Sequence, residues 1–388
     1  MAPHNDAPSP AGSYNAGFHN AAFRQTSNPP LQVPSITRNG IYSSSVLNDS
    51  QYSSSCSTSS LDVDEEPRPE RPLVPGVYVP TVCFFDPITE DVDIDTVAQH
   101  AVHLARAGVT GITTQGSNGE AVHLTHSERQ LVTRTTRRAL DNAGYSHVPI
   151  IVGCGAQSVR ETTQLCSEAF EAGGDYALVL PPSYYAGLLK PSSASVIEFF
   201  TSVADNSPIP LVIYNYPGGA NGTDLSSDTI ITLSQHPNIT GVKFTCGNTG
   251  KLNRVAAATR SSKSVSNTSS SAPSFLVLAG SADFTLQSLV AGGHGILAGL
   301  ANIAPKACLE IIKLYREGKM AEALKMQEIV ARGDWTAIQG GVVSTKAGMQ
   351  NWYGYGGYGR SPLPRPTVEE NKKWKEGFRE LVQTEKAL

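Results

Sequence analysis

The sequence predicts a (β/α)8 barrel of the TIM type, with a disordered N-terminal tail and a C-terminal helical appendage. Three observations carry this expectation. Eight short apolar runs rich in β-branched residues recur between Gly76 and Gly299, and helix-period segments fill the intervals. The runs lack steady polar alternation, as expected of parallel strands covered by helices. No G-x-G-x-x-G or Walker loop follows any of them, which disfavours an open doubly wound sheet.

In chain order, residues 1–72 come first. Ser, Asn, Pro and Gly dominate there, as in SSSVLNDSQYSSSCSTSS, and the stretch closes on the acidic run Asp62–Glu66 and PRPERP. Such a composition buries too little apolar surface to offset ordering entropy, so a disordered tail is expected. A mitochondrial presequence, the alternative, calls for repeated arginines on an amphipathic helix. Only Arg24 and Arg38 precede Ser60, and Asp6 and Asp49 balance them. A cytoplasmic location is therefore expected, with a mitochondrial one as the alternative.

The barrel follows over residues 73–317. Its runs are GVYVPTV from Gly76, GITTQ from Gly111, PIIVG from Pro149, YALVL from Tyr176, LVIY from Leu211, ITGVK from Ile239, FLVLA from Phe275 and GILAG from Gly295. Alternation of such strands with helices implies right-handed crossovers. Thr125-x-x-Glu128 and Ser158-x-x-Glu161 have the form of capping boxes. The serine-rich segment 261–274 reads as a solvated loop insertion before the seventh strand. Residues 318–388 should add two or three helices, one over Met320–Arg332 and the last capped by Thr367-x-x-Glu370.

Composition narrows the function. A formal net charge of −4 with a pI near 6.1 and a mean hydropathy of −0.18 provides no electrostatic reason to bind nucleic acid or a membrane surface. No apolar run approaches the roughly 18 residues of a spanning helix. The 6 cysteines (Cys56, Cys83, Cys154, Cys166, Cys246, Cys308) are scattered without a C-x-x-C pair, which suits reduced thiols in an intracellular protein.

Barrel active sites gather at the C-terminal ends of the strands. There the second strand leads into Gly116-Ser117-Asn118-Gly119, the fourth into Tyr184-Tyr185, the fifth ends at Tyr214 and the sixth at Lys243. Lysine is uncommon in strands. Burial of an amine disfavours its charged form, which suits a nucleophile attacking a carbonyl; a snorkelling or ion-paired lysine is the plain alternative. Tyr214 can relay a proton or serve as a core aromatic with a satisfied hydroxyl. The 116–119 turn offers successive amides to a carboxylate or is only a turn. Taken together, these groups support a Schiff base with a 2-oxo acid and carbon–carbon bond cleavage through an enamine. None of the 9 histidines clusters with acids at the strand ends, and His294 falls at the opposite end of the barrel. Metal-free, lysine-dependent chemistry without a cofactor is expected.

These residues resemble the dihydrodipicolinate synthase and N-acetylneuraminate lyase family, from about Gly76 to the C-terminus. The shared motifs are GSNGE (Gly116–Glu120), Tyr184-Tyr185, Y-N-x-P (Tyr214–Pro217), G-V-K (Gly241–Lys243), L-A-G-S (Leu278–Ser281) and G-G-H-G (Gly292–Gly295). The resemblance implies Lys243 as the Schiff-base residue, Tyr214 as proton shuttle and Ser117 as hydroxyl relay and carboxylate donor. It further implies that Asn118, Thr245 and Gly280 line the 2-oxo acid site with Leu297 nearby. Tyr185 would reach a neighbouring subunit's site in a homotetramer or dimer. QGSNGE, TLSQHPNITGVK and NWYGYGGYGRSPLPRP look most like the 4-hydroxy-2-oxoglutarate aldolases of that family, which release pyruvate and glyoxylate.

Gly219 stands where the synthases carry an arginine for the second carboxylate, which counts against dihydrodipicolinate synthesis. Phe244-Thr245 is closer to the lyases and sugar-acid aldolases, so a 2-keto-3-deoxy sugar acid is the alternative substrate. A catalytically silent barrel that binds 2-oxo acids is the reading from another class. The joint presence of Lys243, Tyr214 and Ser117 speaks against it.

Overall fold

The computed structural model describes residues 69–189, 194–260 and 275–388. Most of the expected tail and all of the serine-rich insertion lie outside these residues. Each of the eight apolar runs is a strand, and the strands close in sequence order into one parallel barrel. They are β1 (Gly76–Pro80), β2 (Gly111–Thr114), β3 (Ile150–Gly153), β4 (Tyr176–Val179), β5 (Leu211–Asn215), β6 (Ile239–Phe244), β7 (Leu276–Ala279) and β8 (Gly295–Leu297), with β8 pairing back onto β1.

Period-2 alternation sorts the strand side chains into two cores. Tyr78, Ile151, Leu178, Val212, Tyr214, Leu276, Leu278 and Leu297 fill the barrel interior. Neighbours such as Val77, Val79, Ile112, Ile150 and Val152 point outward into the helical layer. That layer comprises α1 (Ile94–Arg106), α2 (His126–Asn142), α3 (Val159–Glu171), α4 (Ala186–Leu189), α5 (Ala194–Asn206), α6 (Ser227–Leu233), α7 (Thr249–Arg260), α8 (Thr285–Val290) and α9 (Pro305–Arg316).

The capping box at Thr125 is reciprocal and starts α2. At Ser158 only half of one forms. Its hydroxyl accepts from the Glu161 amide, but the Glu161 carboxylate turns to His126 Nε2 at 2.9 Å, so tertiary pairing replaces the local bond. His294 is structural: its Nδ1 accepts from the Val277 amide at 2.9 Å, at the start of β8.

Beyond the barrel are α10 (Met320–Tyr353), α11 (Val368–Gly377) and α12 (Arg379–Ala387). Two expectations are corrected here. The helix expected to stop at Arg332 continues to Tyr353, interrupted only where Gly341 takes φ 59°, ψ −140°. Burial of Ala337, Ser344, Thr345 and Ala347 compensates the poor helix propensity of the two glycines. Thr367 caps α11, and α12 follows it.

α10 is bonded directly to the barrel. Gln327 Nε2 donates to the carbonyls of Ala282 and Asp283, both at 2.9 Å, while its Oε1 accepts from the Leu286 amide at 2.8 Å. Glu385 of α12 accepts from the amides of Lys306 and Ala307 at the N-terminus of α9, where orphan donors need a partner.

Candidate active site

Strand register sets the centre of the site. Tyr214 on β5 pairs with Lys243 on β6, which pairs with Leu278 on β7. All three therefore face the barrel interior. The Lys243 side chain is buried, and its Nζ sits 4.0 Å from the centroid of the Tyr214 ring. No carboxylate forms an ion pair with it among the described residues. Tyr214 stacks on Tyr216 at 5.5 Å, with the rings inclined by 16°. The Tyr214 hydroxyl lies 3.4 Å from Ser117 Oγ.

Ser117 sits in a turn held from both sides. Gln115 and Glu120 flank it at φ 48° and 53°, a conformation that costs a non-glycine residue about 1 kcal/mol. The Gln115 amide donates to the Arg129 carbonyl at 2.8 Å, and its oxygen accepts from Thr114 and Thr133. Inside the turn, the amides of Gly119 and Glu120 donate back to Gly116 and Ser117. Among the described residues the Ser117 and Asn118 amides donate to no backbone carbonyl.

Glu120 is the buried anchor of this turn. It pairs with Lys346 Nζ at 2.6 Å, with both side chains 1% exposed. The Arg360 amide donates to the same carboxylate at 2.9 Å, and His123 Nδ1 lies 3.0 Å from it. Lys346 also donates to the Tyr358 carbonyl. Burial pulls the Lys346 ammonium below its ordinary range, while Glu120 opposes the shift.

Opposite the turn, the end of β7 approaches β6 closely. A Cβ on Gly280 would come within 2.0 Å of Thr245 Oγ1, so this position requires glycine. Among the described residues the buried Thr245 hydroxyl has no hydrogen-bond partner, the state of a group whose partner arrives with a ligand. We expect Gly280→Ala to raise KM for the 2-oxo acid at least several-fold by displacing Thr245, measured by steady-state kinetics; an unaltered KM would contradict this.

Ser117, Asn118, Tyr214, Lys243, Thr245 and Gly280 all line one cavity of about 500 Å³. Leu297, expected nearby, is not among the residues that line it. Leu297 packs in the barrel interior with Tyr78, Leu278 and Tyr214. Gly299 and Leu300, just after β8, line the cavity instead. Tyr185 does not line its own chain's cavity; it is 65% exposed, edge-on to Tyr184 at 5.0 Å.

Other lining residues carried no local signal. Asp334, Ala337, Ile338, Gly341 and Thr345 come from α10, so the C-terminal helix forms a wall of the cavity. Asp334 Oδ2 accepts from Ser281 Oγ and the Ala282 amide at 2.7 Å and from the Asp283 amide at 2.9 Å. Burial outweighs these bonds and raises its carboxyl to about 6, with the nearby Asp283 charge adding to the shift. Burial raises Asp283 as well. A folded-state value above the unfolded one makes the native state bind more protons, so this group's contribution falls as pH rises from about 4 to about 6. Asp334→Asn should flatten the denaturant-midpoint profile across that window; an unchanged slope would count against the assignment.

Among the described residues no group of three or more His, Cys, Asp and Glu side chains is arranged to hold a metal ion. No helix among them is long and apolar enough to cross a membrane.

Residues 74–384 match the dihydrodipicolinate synthetase family. The chain belongs to that family. A relative from Emericella nidulans, named a probable mitochondrial 4-hydroxy-2-oxoglutarate aldolase, is 55% identical over 318 residues, spanning 82% of this chain and 98% of its own. An L-threo-3-deoxy-hexylosonate aldolase from Aspergillus niger is 48% identical over 331 residues, with 82% and 98% covered. Among solved structures, a dihydrodipicolinate synthase family protein from Coccidioides immitis superposes with a TM-score of 0.70 at 32% identity, covering 82% of this chain and 99% of that one. A prophage member of the family from E. coli K12, solved with pyruvate, gives 0.71 at 26% identity, covering 81% and 100%.

Within the family, Gly219 has a packing reason. A Cβ there would lie 2.5 Å from the Tyr216 ring, the ring that backs Tyr214. An arginine at this position would displace that stack.

Proposed function

We propose that this dihydrodipicolinate synthetase family member is a class I aldolase that cleaves 4-hydroxy-2-oxoglutarate to pyruvate and glyoxylate through a Schiff base on Lys243. The observation that carries the reading is the buried Lys243 amine over the Tyr214 ring, without an ion pair among the described residues, with Ser117 in reach of the Tyr214 hydroxyl.

In this mechanism the Lys243 amine attacks the C2 carbonyl and water leaves, forming an iminium. Tyr214 takes the C4 hydroxyl proton, passing it by way of Ser117. The C3–C4 bond breaks, its electrons flow into the iminium, and the aldehyde departs. Protonation of the enamine at C3 and hydrolysis then return pyruvate and the free amine. The Ser117 and Asn118 amides and the orphan Thr245 hydroxyl hold the C1 carboxylate, and Gly280 leaves room for it. The chemistry needs neither metal nor cofactor.

Borohydride reduction with pyruvate, read by intact mass and peptide mapping, tests this reading. A pyruvyl adduct on Lys243 is expected; a folded protein that traps nothing would overturn it. Tyr214→Phe should still trap pyruvate but lose roughly 10²- to 10⁴-fold in kcat. Full activity in that variant would remove Tyr214 from the mechanism.

A 2-keto-3-deoxy sugar acid is the second reading. It is favoured by one observation: Asp283 and Asp334 line the cavity, where Lys243 is the one cationic side chain among the described residues. Synthase activity is disfavoured by Gly219. Tyr185 is proposed to complete a neighbouring subunit's site in a dimer or tetramer, which its exposure supports; light scattering of the wild type and of Tyr185→Ala measures this. The proposed location is cytoplasmic, with the mitochondrion, named for the Emericella relative, as the alternative; imaging a full-length fusion separates the two.

A further inference from the structure

The cavity is chemically lopsided. On the strand side stand Lys243, Tyr214 and the carboxylate-binding turn. On the other side stand Asp283, from the turn after β7, and Asp334, from α10. Asp334 is 3% exposed, and three donors hold its Oδ2 in place. Its other oxygen makes no hydrogen bond among the described residues. Asp283 Oδ1 is buried without a hydrogen-bond partner among the described residues. Leaving a buried acceptor unpaired is costly, and a site retains such a group when its donor comes with the ligand.

The proposed reaction divides a substrate into two halves. The pyruvate half binds at Lys243 and the Ser117 turn, so the aldehyde half extends toward the remaining wall. Hydroxyl groups can donate to unpartnered carboxylate oxygens. 4-Hydroxy-2-oxoglutarate presents a second carboxylate at that end. A six-carbon 2-keto-3-deoxy sugar acid presents the neutral hydroxyls of a glyceraldehyde unit.

We propose that Asp283 and Asp334 are specificity-determining residues that bind the hydroxyls of a neutral aldehyde half, extending the same Schiff-base chemistry from 4-hydroxy-2-oxoglutarate to 2-keto-3-deoxy sugar acids. This inference rests on the Schiff-base reading of Lys243. It assigns to α10, outside the eight-stranded barrel, a direct part in substrate choice. Ser281 and Gln327 are positioning residues for the wall, since they hold Asp334 and the 282–283 backbone without needing to touch substrate.

The test measures condensation of pyruvate with glyceraldehyde and with glyoxylate for the wild type, Asp283→Asn and Asp334→Asn. The readout is the ratio of the two kcat/KM values, with borohydride trapping of pyruvate run alongside. The ratio of glyceraldehyde to glyoxylate should fall roughly 10- to 100-fold in each variant, as expected for loss of a hydrogen bond to a charged group. A purely structural role would lower both values together and leave the ratio alone. An unchanged ratio in both variants overturns the proposal. Should Asp334→Asn fail to fold, Asp283→Asn alone decides, because Asp283 is only partly buried and its carboxylate does not tie α10 to the barrel. Failure of the wild type to trap pyruvate would be a separate result, directed at Lys243 itself.

Discussion

Lys243→Ala should lose turnover by about four orders of magnitude or more, the scale seen when a covalent nucleophile is removed, while the barrel stays folded. The two halves of this expectation have different causes. Turnover fails because no other amine lines the cavity among the described residues, so no iminium can form to accept the C3–C4 electrons. The fold survives because Lys243 forms no ion pair there, and its removal strands no buried counter-charge. What remains is a small gap beside Tyr214, at the cavity edge where water can enter. Circular dichroism, a denaturant midpoint and assays of 4-hydroxy-2-oxoglutarate cleavage check both halves. Residual turnover within tenfold of wild type would sink the mechanism, and a collapsed fold would show that the lysine is structural.

Lys346→Met is expected to be the most damaging single change to stability. It leaves Glu120 as a buried carboxylate without its cation, which costs about 3–5 kcal/mol. The Tyr358 carbonyl loses its donor in the same step. Activity should fall as well, since Glu120 closes the turn that presents Ser117. Pairing the change with Glu120→Gln removes the stranded charge, so the double variant should recover much of the loss, and a double-mutant cycle on denaturant midpoints would measure the coupling. A cost below 1 kcal/mol for Lys346→Met would show that water reaches the pair.

Much of the molecule was legible before its structure. The eight strands fall where the apolar runs fall, because a buried parallel strand needs apolar side chains on both faces and announces itself locally. Lys243, Tyr214 and Ser117 were legible because polar residues ending such runs must sit at the rim of a barrel. Leu297 packs in the barrel core and does not line the cavity, a distinction the apolar run itself does not encode. The Ser158 cap was half right because its glutamate found His126, a residue from the neighbouring helix. Asp334 was invisible: an aspartate within a helical segment looks like any solvated helix face until α10 is laid across the barrel mouth.

The sequence by itself therefore determined the order of elements and the closed barrel, and it pointed to Lys243, Tyr214 and Ser117 at the strand ends, where they line one cavity, all consequences of periodicity and residue chemistry at short range. Only the tertiary structure decided what encloses that chemistry. The Glu120–Lys346 pair joins residues 226 positions apart, and Asp334 meets Ser281 across 53. Contacts at such separations leave no local trace, because they arise only when burial forces distant polar groups to find partners.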